Sequence, residues 1–78
     1  MILTAKSRNI TQSVLHELLT VTAFTDDRLA GKFMAMGVLP GSRVEVMRIA
    51  PFKGGYCIKV NGQKIAVRYD EAASILVE

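Results

Sequence analysis

A chain of 78 residues is long enough for one domain, which we place at residues 1–78. Hydrophobic residues make up 50% of it and charged residues 22%, which is typical of a folded domain and not of a disordered chain. Lys and Arg total 10 against 7 Asp and Glu, a formal charge of +3, but these cations are spread along the chain. We therefore expect ordinary solvated faces.

The cysteine content and the N-terminal residues predict where the protein is found. Cys57 is the only cysteine, which excludes an internal disulfide framework and suits a reducing compartment. Apolar Met1–Leu3 is soon followed by Lys6 and Arg8, so this end lacks the apolar run of a signal peptide or a spanning helix. The expected location is the cytoplasm.

The first half of the chain predicts a lead-in, a strand and a helix. The stretch from Asn9 to Leu19 fits either a helical stripe or an alternating strand, so we expect a short helix or irregular lead-in, then a strand over Leu18–Phe24. Thr25 is predicted to cap a helix over Asp26–Met36, with Phe24 and Leu29 at the hydrophobic staple positions.

Glycines mark the end of this helix and the turn after it. Gly37 is predicted to end the helix in the left-handed conformation, and Gly31 inside it suggests that the helix backbone closely approaches the sheet. Leu39–Ser42 has Pro at the second position and Gly at the third, the signature of a type II turn.

The second half of the chain reads as short strands. A strand from Val44 changes its alternation near Met47, which indicates a bulge. After the loop at 51–55 come two strands joined by a type I′ turn at 61–62, then a short helical turn capped by Asp70 and a last strand at 75–77. The predicted fold class is mainly β, a small barrel of about five strands with one inserted α-helix.

The chain lacks the residue sets that catalysis and metal binding require. His16 is the only histidine and has no acid or nucleophile at a useful spacing, and one His with one Cys cannot complete a tetrahedral metal site. Gly54 and Gly55 do not belong to a GxxxxGK[ST] phosphate loop. We predict no enzyme activity, no cofactor and no metal site.

Four segments together resemble the FeoA family, ferrous iron transport protein A. The segments are Met36–Gly41, Val44–Pro51, Ile65–Arg68 and Ile75–Glu78. The resemblance, which covers roughly residues 18–78, implies an SH3-like barrel that binds a FeoB-type membrane GTPase transporter and regulates or assembles it. The family commonly has a Leu-Gly-Asp-Pro type of turn after Ala50-Pro51, where this chain has Phe52–Gly55. The tip of this loop can therefore bind differently.

Exposed apolar residues beside turns are the candidate contacts for such a partner. We select Leu39 in the turn after the helix, and Pro51, Phe52 and Lys53 in the following loop. The competing interpretation is that Leu39 and Phe52 fold back onto the barrel.

Two other functions remain open at this point. Phe52 between Arg48 and Lys53 would suit a nucleic-acid or ribosome-associated barrel, although we expect no nucleic-acid partner because the other aromatic residues fall mostly at predicted core positions. The second alternative is that the chain is a detached accessory domain similar to the SH3-like domain at the end of iron-dependent repressors. We expect no insertion into a membrane, and self-association through an uncovered strand edge is left open.

Overall fold

The computed structural model describes residues 8–78, which form one antiparallel sheet and two α-helices. The strands are β1 (Arg8–Asn9), β2 (Leu18–Phe24), β3 (Arg43–Ile49), β4 (Tyr56–Val60), β5 (Gln63–Val67) and β6 (Ile75–Val77). The helices are α1 (Asp27–Ala35) and α2 (Tyr69–Ala73), and a 3-10 turn covers Ile10–Gln12. The prediction that the N-terminus lacks an apolar run concerns mainly residues 1–7, which lie outside the residues that the structure describes.

The sheet has the strand order β1-β6-β2-β3-β4-β5. The mainly β class with an inserted helix is confirmed, but there are six strands rather than about five. The extra strand is β1, whose two residues pair with Val77 and Leu76 of β6. Over residues 8–78, no ladder joins β1 to β5, so the sheet is not a closed barrel. None of the helices in this part of the chain is long and apolar enough to cross a membrane.

Alternating side chains of the strands and one face of α1 form the core. Inward positions of β2, β3 and β4 are buried, and Phe33 of α1 is completely buried among them. The ring of Phe24 stacks on Phe33 with centroids 5.9 Å apart. The buried strand residues are Leu19, Val21, Val44, Val46, Tyr56, Ile58, Val60, Val67, Ile75 and Val77.

Helix α1 starts one residue later than predicted. Asp26, not Thr25, is the N-cap: its Oδ1 accepts hydrogen bonds from the backbone N–H groups of Arg28 (2.8 Å) and Leu29 (3.3 Å). Thr25 instead lies beyond the end of β2, where its N–H donates to the Ser74 carbonyl at 2.9 Å and continues the contact between β2 and β6. The Thr25 prediction is therefore wrong by one position.

The C-terminal end of α1 follows the predicted glycine pattern, although the last helical residue is Ala35 and Met36 is the C-cap. Gly37 has φ +92°, its N–H donates to Met34 O at 3.0 Å, and the Val38 N–H donates to Phe33 O at 2.9 Å. These are the two hydrogen bonds of a Schellman motif. The interpretation of Gly31 is wrong, however, because a Cβ built there would meet nothing within 4 Å outside the helix backbone.

The turns of the second half place β3, β4 and β5 side by side. The register shifts between Val46 and Arg48, which confirms the predicted bulge at Met47. Asn61 and Gly62 both have positive φ, as a type I′ turn requires.

The short helix α2 differs from the prediction at its start. It begins at Tyr69 with Arg68 in the N-cap position, so Asp70 lies in its first turn and is not the cap. Glu71 instead accepts the Arg68 N–H through Oε1 at 2.8 Å. Its second carboxylate oxygen accepts from Lys32 Nζ at 2.6 Å, which ties α2 to α1.

Candidate functional site

The loop between β3 and β4 folds as a tight turn with an unusual backbone. The Gly54 N–H donates to the Pro51 carbonyl at 3.0 Å, which closes the turn. Between them, Phe52 (φ +56°) and Lys53 (φ +57°) both have the positive φ of a type I′ turn. These positions usually hold Gly, Asn or Asp, and a non-glycine residue there costs about 1–3 kcal/mol of backbone strain.

The tip of this turn is its most exposed point. Phe52 is 99% exposed, so its ring does not pack on the sheet. Lys53 extends back instead, with Nζ 5.3 Å from the centroid of the Tyr69 ring, a cation–π contact. The turn therefore presents an aromatic ring to solvent while its neighbour holds the loop against α2.

The base of the loop is fixed by close packing. Gly55 has φ +115°, and a Cβ built on it would lie 2.6 Å from the Val67 carbonyl oxygen, so only glycine fits without a shift of β5. Ala50 N–H donates to the Gly55 carbonyl at 2.9 Å. A rigid stem therefore positions Phe52.

Tyr56 anchors the same end of the molecule to the N-terminal lead-in. Its hydroxyl donates to the Thr11 carbonyl at 3.2 Å, and its ring lies 6.3 Å from that of Tyr69. Burial raises the pKa of the Tyr56 hydroxyl, and the nearby Tyr69 hydroxyl adds to the shift. The Tyr56 hydroxyl is therefore a neutral structural donor at physiological pH.

Leu39, the other candidate, lies at the opposite end of β3. It begins the type II turn, in which the Ser42 N–H donates to the Leu39 carbonyl at 2.9 Å, and it is half-exposed. β3 starts directly after this turn and ends just before Pro51, and its seven residues span about 20 Å. The structure thus groups Pro51, Phe52 and Lys53 but separates them from Leu39.

A third exposed apolar group was not recognised from the sequence. Val14, Leu15 and Leu18 fitted a helical stripe, yet all three are exposed. The Glu17 N–H donates to the Val14 carbonyl at 3.1 Å and His16 has φ +68°, so this segment is a turn and not a helix. The threonines that follow Leu18 and favour a strand were the only available signal against the helix.

The described residues offer little for catalysis or metal binding. His16 Nδ1 lies 3.8 Å from Glu45 Oε2 at an exposed position, and Cys57 is a half-buried free thiol on β4. Residues 8–78 contain no group of three or more His, Cys, Asp or Glu side chains that could hold a metal, and no pocket is found among them. The features that distinguish this surface are therefore its exposed apolar side chains.

The sequence matches the FeoA domain family over residues 11–78. Among curated proteins, no sequence matches the chain.

Solved structures share this fold. A FeoA-like protein from Clostridium acetobutylicum has a TM-score of 0.84 at 22% identity, covering 96% of this chain and 88% of that one. An iron uptake regulatory protein, FeoA, has a TM-score of 0.79 at 22% identity, covering 95% and 97%.

A repressor structure contains the same fold as one part of a longer chain. A manganese-dependent transcriptional repressor in complex with manganese has a TM-score of 0.85 at 20% identity and covers 95% of this chain. This chain spans only 37% of the repressor's length. These likenesses show that the fold is the small SH3-like fold shared by both groups.

Proposed function

The chain belongs to the FeoA family, and we propose that it is a cytoplasmic accessory protein of ferrous iron uptake that binds a FeoB-type membrane GTPase transporter. Its role would be to regulate or assemble that transporter. Family membership supports the iron-uptake setting. The observation that carries a binding role for this chain itself is the fully exposed Phe52 on a strained, well-anchored turn.

The turn Pro51–Lys53 is the proposed main contact. Aromatic side chains are enriched among interface hot spots, because they bury a large area for little loss of side-chain freedom. Backbone strain retained at an exposed position points to a function that the position serves. Leu39 is proposed as a second contact, separated from the first by the length of β3.

We propose no catalytic role for the chain. The sequence has no phosphate-binding GxxxxGK[ST] loop and a single histidine, so any GTP hydrolysis in the complex would be the partner's. Purified chain should turn over no GTP. Turnover that is abolished by one substitution in this chain would contradict the proposal.

Capture from detergent-solubilised membranes, with and without RNase treatment, tests the proposed partner. Immobilised wild-type chain should retain a membrane GTPase irrespective of RNase, and Phe52→Ala should retain less. Recovery of ribosomal material that RNase abolishes would favour the nucleic-acid alternative. Recovery of a repressor's DNA-binding part would favour the detached accessory-domain alternative.

A further inference from the structure

The outward faces of β3, β4 and β5 collect cations that are dispersed in the sequence. Val44, Val46 and Ile58 are buried in the core, so Arg43 and Lys59, next to them in the strands, point outward. The bulge at Met47 reverses the alternation and pairs Arg48 with the outward Cys57, and Lys64 of β5 pairs with the outward Lys59. Four exposed cations occupy this outward side, which we call the basic face: Arg43, Arg48, Lys59 and Lys64.

The strand register sets two of these cations directly opposite each other. Lys59 of β4 pairs with Lys64 of β5, and Glu45 of β3 lies on the other side of Lys59 in the same row. Adjacent strands are about 4.8 Å apart, and like charges at directly opposed positions are destabilising. An anionic partner would relieve this repulsion.

The ion pairs of the described residues leave the basic face without partners. Arg8 pairs with Glu17, Lys32 with Glu71, and Arg28 with Asp26. Over residues 8–78, no carboxylate lies within 4 Å of the four cations of the basic face. Glu45, the acid on this face, instead lies 3.8 Å from His16. The acids without an ion pair in this part of the chain lie elsewhere: Asp27, Asp70 and Glu78.

The shape of the basic face decides which anionic partner suits it. Between the cations lie the small side chains of Cys57 and Ala66, and no pocket among the described residues brings the cations together on one small ligand. No aromatic ring is present on the outward positions of these three strands, so bases of single-stranded nucleic acid would find no stacking platform. A flat, diffuse layer of negative charge fits this surface best.

We propose that the basic face is a peripheral contact for the anionic phospholipid headgroups of a membrane. Basic residues near an anionic membrane surface each strengthen binding about fivefold, without insertion of any side chain into the hydrocarbon. The proposal rests on the proposed function for its setting beside a membrane transporter. With the strands lying along the membrane, the Phe52 turn at their end stays free for that transporter.

Partition of the purified full chain onto sedimented vesicles tests this contact. The vesicles contain phosphatidylcholine alone or phosphatidylcholine mixed with phosphatidylglycerol, each at low and at high salt. The test variant is Lys59→Gln with Lys64→Gln, and the matched control is Arg28→Glu, which lowers the net charge by the same amount on α1. The side chains of Arg28, Lys59 and Lys64 are all exposed, so neither variant removes a core side chain.

We expect wild-type chain to bind only the vesicles that contain phosphatidylglycerol, and to be released by high salt. The double variant should bind about thirtyfold more weakly, and the control should stay within about twofold of wild type. Equal loss in both variants, or no binding to anionic vesicles, would overturn the proposal. It would also be overturned if single-stranded RNA bound the wild type more tightly than the vesicles and lost affinity in the double variant.

Failure of this proposal can be distinguished from failure of the proposed function. Phe52→Ala should keep vesicle binding while losing capture of the GTPase in detergent. The double variant should show the opposite pattern. A double variant that loses capture in detergent as well would mean that the basic face contacts the protein and not the lipid.

Discussion

Phe52 and Lys53 hold the left-handed conformation although two glycines follow them directly. Of these two glycines, only Gly55 has a positive φ, +115°. Gly54 is instead confined by the Ala50 Cβ and the Pro51 carbonyl oxygen, both 3.0 Å from its would-be Cβ. The exposed ring of Phe52 therefore lies at a position where glycine would have a less strained backbone.

Replacement of Phe52 by glycine separates stability from binding. We expect Phe52→Gly to be at least as stable as wild type, and up to about 1 kcal/mol more stable, because glycine adopts φ +56° without a steric cost. Chemical denaturation measures this. Phe52→Ala, which keeps the strain and loses the same ring, is the control, and both variants should bind the partner equally weakly. A Phe52→Gly variant destabilised by more than about 1 kcal/mol would show that the ring packs on the fold.

Substitutions at Gly31, inside α1, and at Gly37, just after it, should change the free energy of unfolding in opposite directions. Gly37→Val should cost about 1–3 kcal/mol, because a β-branched residue is strained at φ +92° although nothing lies within 4 Å of its Cβ. Gly31→Ala should add about 0.5–1 kcal/mol, since the site is open and helical. The free energies of unfolding of the two variants test this. Destabilisation by Gly31→Ala would mean that the helix packs more closely than the structure shows.

At the scale of elements, the contact between α1 and α2 depends on one carboxylate. The Arg68 backbone N–H, and then the Lys32 ammonium, hold the pKa of Glu71 below its usual range. Because the pKa of Glu71 is lower in the folded state, its charged carboxylate stabilises the fold at pH values above its unfolded-state pKa, near 4.5. This stabilisation is lost as the pH falls through the lower, folded value.

Glu71→Gln should therefore lower the stability of the fold only at pH values where the Glu71 carboxylate is charged. We expect it to cost about 1 kcal/mol at neutral pH, because it weakens two charge-assisted hydrogen bonds, and close to nothing at a pH well below 4.5. Thermal unfolding across this pH range is the measurement. Asp70→Asn is the control, since it removes a charge from the same first turn without breaking a described hydrogen bond. An equal effect of Glu71→Gln at both pH values would contradict this account.

Strong local signals made most elements predictable from the sequence. The Asn61-Gly62 turn, the Leu39–Ser42 turn and the glycine at the end of α1 each require a backbone that few other residues adopt, and all three are as predicted. The lead-in was not predictable, because β1 exists only through its pairing with β6, about 70 residues away in sequence. Such pairing leaves no local pattern.

The residues of the candidate site were predictable from the sequence, but their conformation and exposure were not. Phe52 stands out in the sequence because an apolar ring follows a proline in a glycine-rich loop. Its exposure depends on the positive φ values at 52 and 53, for which the sequence carries no signal. The basic face was not visible either, since Arg43, Arg48, Lys59 and Lys64 meet only when the strands align.

At the scale of the whole molecule, the two proposed contacts lie at the two ends of β3. Phe52 lies beyond one end, and Leu39 before the other, at about 20 Å along the strand. Hot spots cluster near the centre of an interface, so one of the two should dominate for a single partner. We expect Phe52 to dominate, because it is the more exposed and the more strained of the two.

Direct titration of purified chain with the cytoplasmic GTPase domain of a FeoB-type transporter tests the central claim. Phe52→Ala should lower the affinity tenfold or more, by about 1.4 kcal/mol, while its melting temperature stays unchanged. Leu39→Ala should have a smaller effect, and Leu18→Ala, which shortens another exposed side chain away from the loop, should have none. Wild-type affinity in a folded Phe52→Ala variant, or no binding by the wild type, would contradict the account.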